Sequence, residues 1–350
     1  MSFYSKLFAV STLWVFCAVA LPVVAAPAQL SELQTQLNGL SSIESKLEFL
    51  KTSVRGQSLE TKAALGAAII QSAPANTQKD VARRVAQILA SLEDGSSDTA
   101  KLAGLLASKL PRNLAGSLAG SIAIGAGTSD PQHIPQIAAA VIVAQPGTIA
   151  HAGAIAEEIT TFAPLAKASS ISSAIGAMFA EYPSLAEKSP QIAAGITRGI
   201  LSHKGTLEQL RPEVANSVAA LTVLLPGSIR SNKDLITNIG KEVAAVIYQK
   251  YSGMATTIVG ITSATLKSAA GSSDITSVLN NFRDAFKDAI ADPIIQGKLD
   301  VVVSQVDSGI SDKVVKPLEK PMDVKLPTLL SPDYYVSGAI TLSETNVVNK

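Results

Sequence analysis

The sequence is short of most of the side chains that chemistry is built on. It has one cysteine, Cys17, and three histidines, His133, His151 and His203. Aromatic residues make up 4% and charged residues 16%, where an ordinary globular chain carries about 25% charge. Cys17 sits in an apolar N-terminal stretch and leaves with it, so disulfides, thiolate catalysis and cysteine-held metals are excluded from the mature chain. Lys and Arg number 29 against 28 Asp and Glu. No global field therefore draws the protein to nucleic acid or to an anionic membrane. There is no Asn-x-Ser/Thr sequon, which fits a bacterial periplasm better than a eukaryotic secretory route. Gly-x-Ser-x-Gly elbows, His-Glu-x-x-His helices, calcium loops and glycine-rich nucleotide turns are all missing.

What the N-terminus does have is the layout of an export signal. Lys6 supplies the positive charge, Leu7 to Val24 the apolar run, and Ala26-Pro27-Ala28 the small residues read by a signal peptidase. The expected cut follows Ala28. Residues 1–28 are thus a signal peptide, the protein is exported to a periplasmic or extracellular space, and no transmembrane segment is expected once the signal is gone.

Alanine, roughly one residue in seven, loses no side-chain entropy in a helix. It recurs inside a ten-residue phrase: a large apolar residue, two small ones, a loosely apolar middle, then proline. The phrase reads LGAAIIQSAP at 65–74, LAGLLASKLP at 102–111, IAAAVIVAQP at 137–146, IAEEITTFAP at 155–164, AIGAMFAEYP at 174–183 and SVAALTVLLP at 217–226. Versions without the proline stand at 118–127, 192–201 and 243–252. Pro74, Pro111, Pro146, Pro183 and Pro226 are 37, 35, 37 and 43 residues apart, and Pro164 falls midway between Pro146 and Pro183. A unit of about 37 residues made of two half-units predicts an all-α, solenoid-like array of stacked antiparallel helical hairpins over 57–313. Its length resembles that of tetratricopeptide and HEAT hairpins. The resemblance ends there, because Ala, Gly and Ile fill the ring positions of the first and no Asp/Arg ladder marks the second.

Punctuation supports helices throughout. Thr77, Ser184, Thr206 and Ser231 each precede Asp, Glu or Gln by three residues and are expected N-caps, and Asp130-Pro131 is a further start. Gly95, Gly127, Gly205, Gly253 and Gly271 are expected left-handed C-terminal caps. Between residues 29 and 56, Leu30, Leu33, Leu37, Leu40, Ile43, Leu47, Leu50 and Val54 form one helical stripe. Asn38-Gly39 stops it, and Ser41 with Glu44 reads as a capping box restarting it. Two short helices capping the open end of the array follow. Residues 314–350 differ: Pro317, Pro321, Pro327 and Pro332 forbid helix, and Tyr334, Tyr335 and Val336 open a β-like stretch. This extended tail is expected to lie along the array's own groove or last helix pair; the alternative is that it docks elsewhere, with Tyr334 and Tyr335 as the candidate partner contacts.

The remaining polar groups give no reaction. His133 and His151 fall at equivalent positions of successive antiparallel helices, about 20 Å apart at 1.5 Å per residue, and cannot share a metal. Glu157 and Glu158 are adjacent, so their side chains diverge on a helix. Asp284 and Asp288, beside Arg283 and Lys287, read as a solvated charge-laced face. Gly116/Gly120 and Gly195/Gly199 resemble a membrane dimerisation pattern, but charged and hydroxyl neighbours favour close packing inside an array. The run 134–144 is expected to be a core helix. No metal, cofactor or catalytic residue is assigned. The expectation is a non-catalytic, exported helical-repeat scaffold or protein-binding module of the cell envelope; the alternative is a binder of apolar ligands or lipid surfaces.

Overall fold

The computed structural model describes residues 27–307, apart from 94–95, 252–254, 257–258, 261, 264–272 and 291. Among the described residues every regular element is helical. In chain order they are α1 (Pro27–Asn38), α2 (Ile43–Ser53), α3 (Leu59–Ser72), α4 (Gln78–Ala90), α5 (Ser96–Ser108), α6 (Arg112–Ser129), α7 (Ile134–Ile142) and α8 (Pro146–Ala150). Then come α9 (Ala152–Phe162), α10 (Ala168–Ala177), α11 (Pro183–Ala186), α12 (Ser189–Ser202), α13 (Leu207–Val223), α14 (Gly227–Arg230), α15 (Lys233–Tyr251), α16 (Ser273–Asp288) and α17 (Pro293–Asp307). No helix among the described residues is long and apolar enough to cross a membrane.

The long helices alternate between two layers. In the first, α3, α5, α7, α10 and α13 each pack on the next; in the second, α2, α4, α6, α9, α12, α15 and α16 do the same. Each ten-residue phrase occupies the C-terminal part of one helix, so the half-unit of the sequence is a single helix. Four of the phrases, at 118–127, 155–164, 192–201 and 243–252, belong to α6, α9, α12 and α15 of the second layer. The long step to Pro226 has a simple cause. Helix α13 has 17 residues where its predecessor α10 has 10, and the extra turns lengthen the unit.

The closing prolines also begin things. Pro146 and Pro183 open the one-turn helices α8 and α11, and Pro111 and Pro226 precede α6 and α14. A fixed φ and a missing N–H suit the first turn of a helix as well as the end of the previous one. The core between the layers is continuous and built from Ala, Leu and Ile, with α7 buried at Ile134, Ile137 to Ala144 and the intervening Pro135. At the start, α1 and α2 bury Leu37, Leu47, Leu50 and Val54 against the first hairpin.

Several local expectations are corrected. Helix α2 is capped by Ser42, whose hydroxyl accepts from the Ser45 N–H at 3.1 Å, not by Ser41. Ser184 lies inside α11. The cap of α15 is Asn232, whose Oδ1 accepts from the N–H groups of Asp234 and Leu235, rather than Ser231. Thr77 is the N-cap of α4 as expected, but its hydroxyl donates back to the Pro74 carbonyl and makes no capping bond. Thr206 behaves as expected, its N–H donating to Gln209 Oε1 at 3.0 Å. Asp130 and Pro131 do begin a helical turn, Pro131–His133, as expected, but the Asp130 carboxylate lies 2.7 Å from His133 Nδ1 and makes no capping hydrogen bond. Gly127 is buried within α6 and Gly205 is not left-handed; among the described residues only Gly56, φ 75°, takes that conformation. Gly95, Gly253 and Gly271 lie outside the described residues, as do the signal segment up to residue 26 and the tail with Tyr334 and Tyr335.

Candidate partner-binding groove

The second layer is drawn together by glycine. A Cβ on Gly125 of α6 would collide with the carbonyl oxygen of Arg83 in α4, and one on Gly195 of α12 with the carbonyl of Gly153 in α9. A Cβ on Gly199 would meet the Cβ of Thr160 at 2.7 Å and the carbonyl oxygen of Glu157 at 3.0 Å. These approaches settle the role of the Gly-x-x-x-Gly pair 195/199 as backbone-to-backbone packing. The other pair works differently. Gly116 leaves room for the His151 ring and Gly120 for the Glu158 carboxylate, so α6 and α9 meet through side chains.

A surface feature lies between α4 and α9. Arg83, Gly120 and Glu157 stand 37 residues apart, in α4, α6 and α9. Beside the charged side chains of α4 and α9, the stretch of α6 from Ser121 to Thr128 carries none. The result is a groove of about 780 Å³, within the roughly 300–1,000 Å³ usual for binding sites. Lys79, Arg83 and Gln87 form one wall, Glu157, Glu158, Thr161 and Phe162 the other, and Ile124 and Thr128 the floor. Gln87, Ile124 and Thr161 are again 37 apart, a second row of the repeat.

Charge in the groove is largely neutralised from within. Glu158 receives Lys79 Nζ at 3.4 Å, a bridge that spans from α9 over Gly120 to α4. Glu157 turns the other way and accepts from Arg198 Nε of α12 at 2.7 Å. The adjacent glutamates diverge as expected, one to each side. With Glu44 and Arg84 at 2.9 Å between α2 and α4, these pairs link neighbouring helices of the second layer laterally. The Arg84 hydrogen bond holds the Glu44 carboxyl below its ordinary range. Exposed pairs of this kind contribute little to stability. Their effect on the groove is selection: both acids are engaged, while Arg83 forms no ion pair among the described residues. Phe162, 42% exposed, is the large apolar side chain left open beside it.

The histidines each bond within the fold. His151 Nδ1 donates to the Gly147 carbonyl at 2.9 Å, and His203 Nε2 donates to the Thr160 carbonyl at 2.8 Å, tying the end of α12 to α9. Among the described residues no group of three or more His, Cys, Asp or Glu side chains could hold a metal ion. The charge-laced reading of α16 is half corrected. Asp284 and Asp288 are exposed, but Arg283 is 7% exposed and donates through Nε to Ser263 Oγ, because it shares the buried stripe of Leu279, Phe282 and Phe286.

Lys79, Arg83, Ile124 and Phe162 were not singled out by the sequence. The signal that could have found them is the 37-residue row, read across helices at the positions that vary. Compared with known proteins, the chain matches no family model and no curated protein sequence.

Proposed function

We propose that this protein is a non-catalytic binding module exported to the cell envelope, and that its groove takes a short segment of a partner protein. The observation that carries this reading is the pairing pattern: every acid in the groove is engaged, Arg83 is not, and Phe162 is open beside it. Such a site favours a segment with one carboxylate next to an apolar side chain, since a guanidinium prefers a carboxylate and a ring prefers apolar contact. Export is supported by Lys6, the run Leu7 to Val24 and the small residues at 26–28. The four charged side chains of the walls, Lys79, Arg83, Glu157 and Glu158, argue against the alternative of a carrier for wholly apolar ligands.

A random peptide library displayed on phage and panned on the protein tests the proposal. Enriched peptides should place Asp or Glu beside an apolar residue, and Arg83→Glu should weaken them about a hundredfold, the factor that corresponds to roughly 2.8 kcal/mol. Peptides that bind Arg83→Glu and Phe162→Ala as well as the parent would overturn it.

A further inference from the structure

The array is closed at one end and open at the other. Helix α17 is held on one side by buried Leu299, by Gln296 Nε2 donating to the Ile290 carbonyl at 2.7 Å, and by Lys287 Nζ at 2.7 Å from Asp300. On the side turned away, Ile294 is 70% and Val301 57% exposed, the two most open large apolar side chains among the described residues. With exposed Lys298 they stand at i, i+4 and i+7, one stripe on one face. Gly297 beside them has nothing within 4 Å of where a Cβ would be, so the backbone there is bare. A terminal repeat needs such a face covered.

We propose that the cover is the protein's own segment 329–342, laid along α17 as an extended strip with Tyr334, Tyr335 and Val336 over Ile294 and Val301. This stands apart from the groove and does not depend on it. Three features of the chain select this occupant. The segment is apolar and ring-bearing, LLSPDYYVSGAITL, in a chain that is only 4% aromatic. Pro332 and Gly338 within it disfavour a helix over its whole length. It also follows the helix it would cover: α17 ends at Asp307, and residues 308–328 separate the two. At about 3.3 Å per residue those residues span up to about 70 Å, several times what is needed to return along a helix of about 22 Å. A tether of that length holds the segment at an effective concentration that no separate partner matches without tight binding. Lys298 offers the tyrosine rings a cation.

Cysteine cross-linking in the full chain tests this, because Cys17→Ser leaves no thiol in the background. Gly297→Cys is tolerated where no atom stands near the new side chain. Paired with Ser337→Cys, it should form an intramolecular disulfide, which demands Cα atoms within about 7 Å. Replacing Tyr334 and Tyr335 by Ser should cut the bridged fraction about tenfold and raise binding of the dye ANS. Bridging no faster than in the pair Gln71→Cys and Ser337→Cys would overturn the proposal, as would bridges formed only between two chains. Unchanged dye binding in the Tyr334→Ser, Tyr335→Ser chain would do the same.

Discussion

The two ends of the array solve one problem in different ways. At the start, α1 and α2 turn Leu37, Leu47, Leu50 and Val54 inward and present polar residues to solvent. At the far end, α17 buries Leu299 but leaves Ile294 and Val301 bare. The first end is finished by the next residues along the chain; under the proposal above, the second is finished by a segment further on. If so, closure of a stacked array is a property of each terminal surface, and neighbouring sequence need not supply it.

The largest effect should come from the closed end. Lys62 of α3 and Glu93 after α4 form an ion pair at 2.5 Å with side chains only 7% and 9% exposed. Lys62→Met leaves a buried carboxylate alone and should cost about 3–5 kcal/mol, while Lys62→Met with Glu93→Leu should recover most of the loss. Hydrogen exchange of α3 and α4 reads this more safely than one melting point, since long repeat arrays lose two-state behaviour. A single mutant as stable as the parent would remove the claim that the pair is desolvated.

The same chemical change made at both ends sharpens the comparison. Leu50→Ala should cost about 2–5 kcal/mol, and Ile294→Ala should cost the helical array less than about 1 kcal/mol. Equal losses in urea denaturation would mean the ends are equivalent. In the middle, Ala139 of α7 is fully buried, so Ala139→Leu should overpack the core and cost about 1–3 kcal/mol. It should loosen hydrogen exchange in α5 and α10, its neighbours, before either end.

The smallest effect is a titration. The Glu44 carboxyl is lowered by its hydrogen bond from Arg84, so this pair contributes above the ordinary carboxylate range and is lost as pH falls through the lowered folded value. In Arg84→Ala, an NMR titration should find Glu44 moved back up toward the usual range. No movement would show that the hydrogen bond does not form in solution.

Helices and layers were legible because their signals are local. Ala139, Pro146 and the apolar residues between them fit within one phrase, and a helix needs no distant partner to declare its period. Caps were less legible where two candidates adjoin: Ser41 and Ser42 both precede a helix start, and Glu44, needed for the first, is taken by Arg84 from another hairpin. The groove was the hardest to see. Lys79 and Glu158 lie 79 residues apart, and Ile124 and Thr128 between the walls belong to a third helix that no local motif links to either.

Glycine packing in the second layer has a mechanical consequence. Between α4 and α6, and between α9 and α12, backbone rests on backbone, and such contacts have no rotamers through which to yield. Between α6 and α9 the contact is the His151 ring and the Glu158 carboxylate, groups that can swing. The groove's walls, α4 and α9, thus stand on opposite sides of a contact made by side chains. A side chain can change rotamer where a backbone cannot, so bending the array is expected to alter the width of the groove before it parts α4 from α6 or α9 from α12.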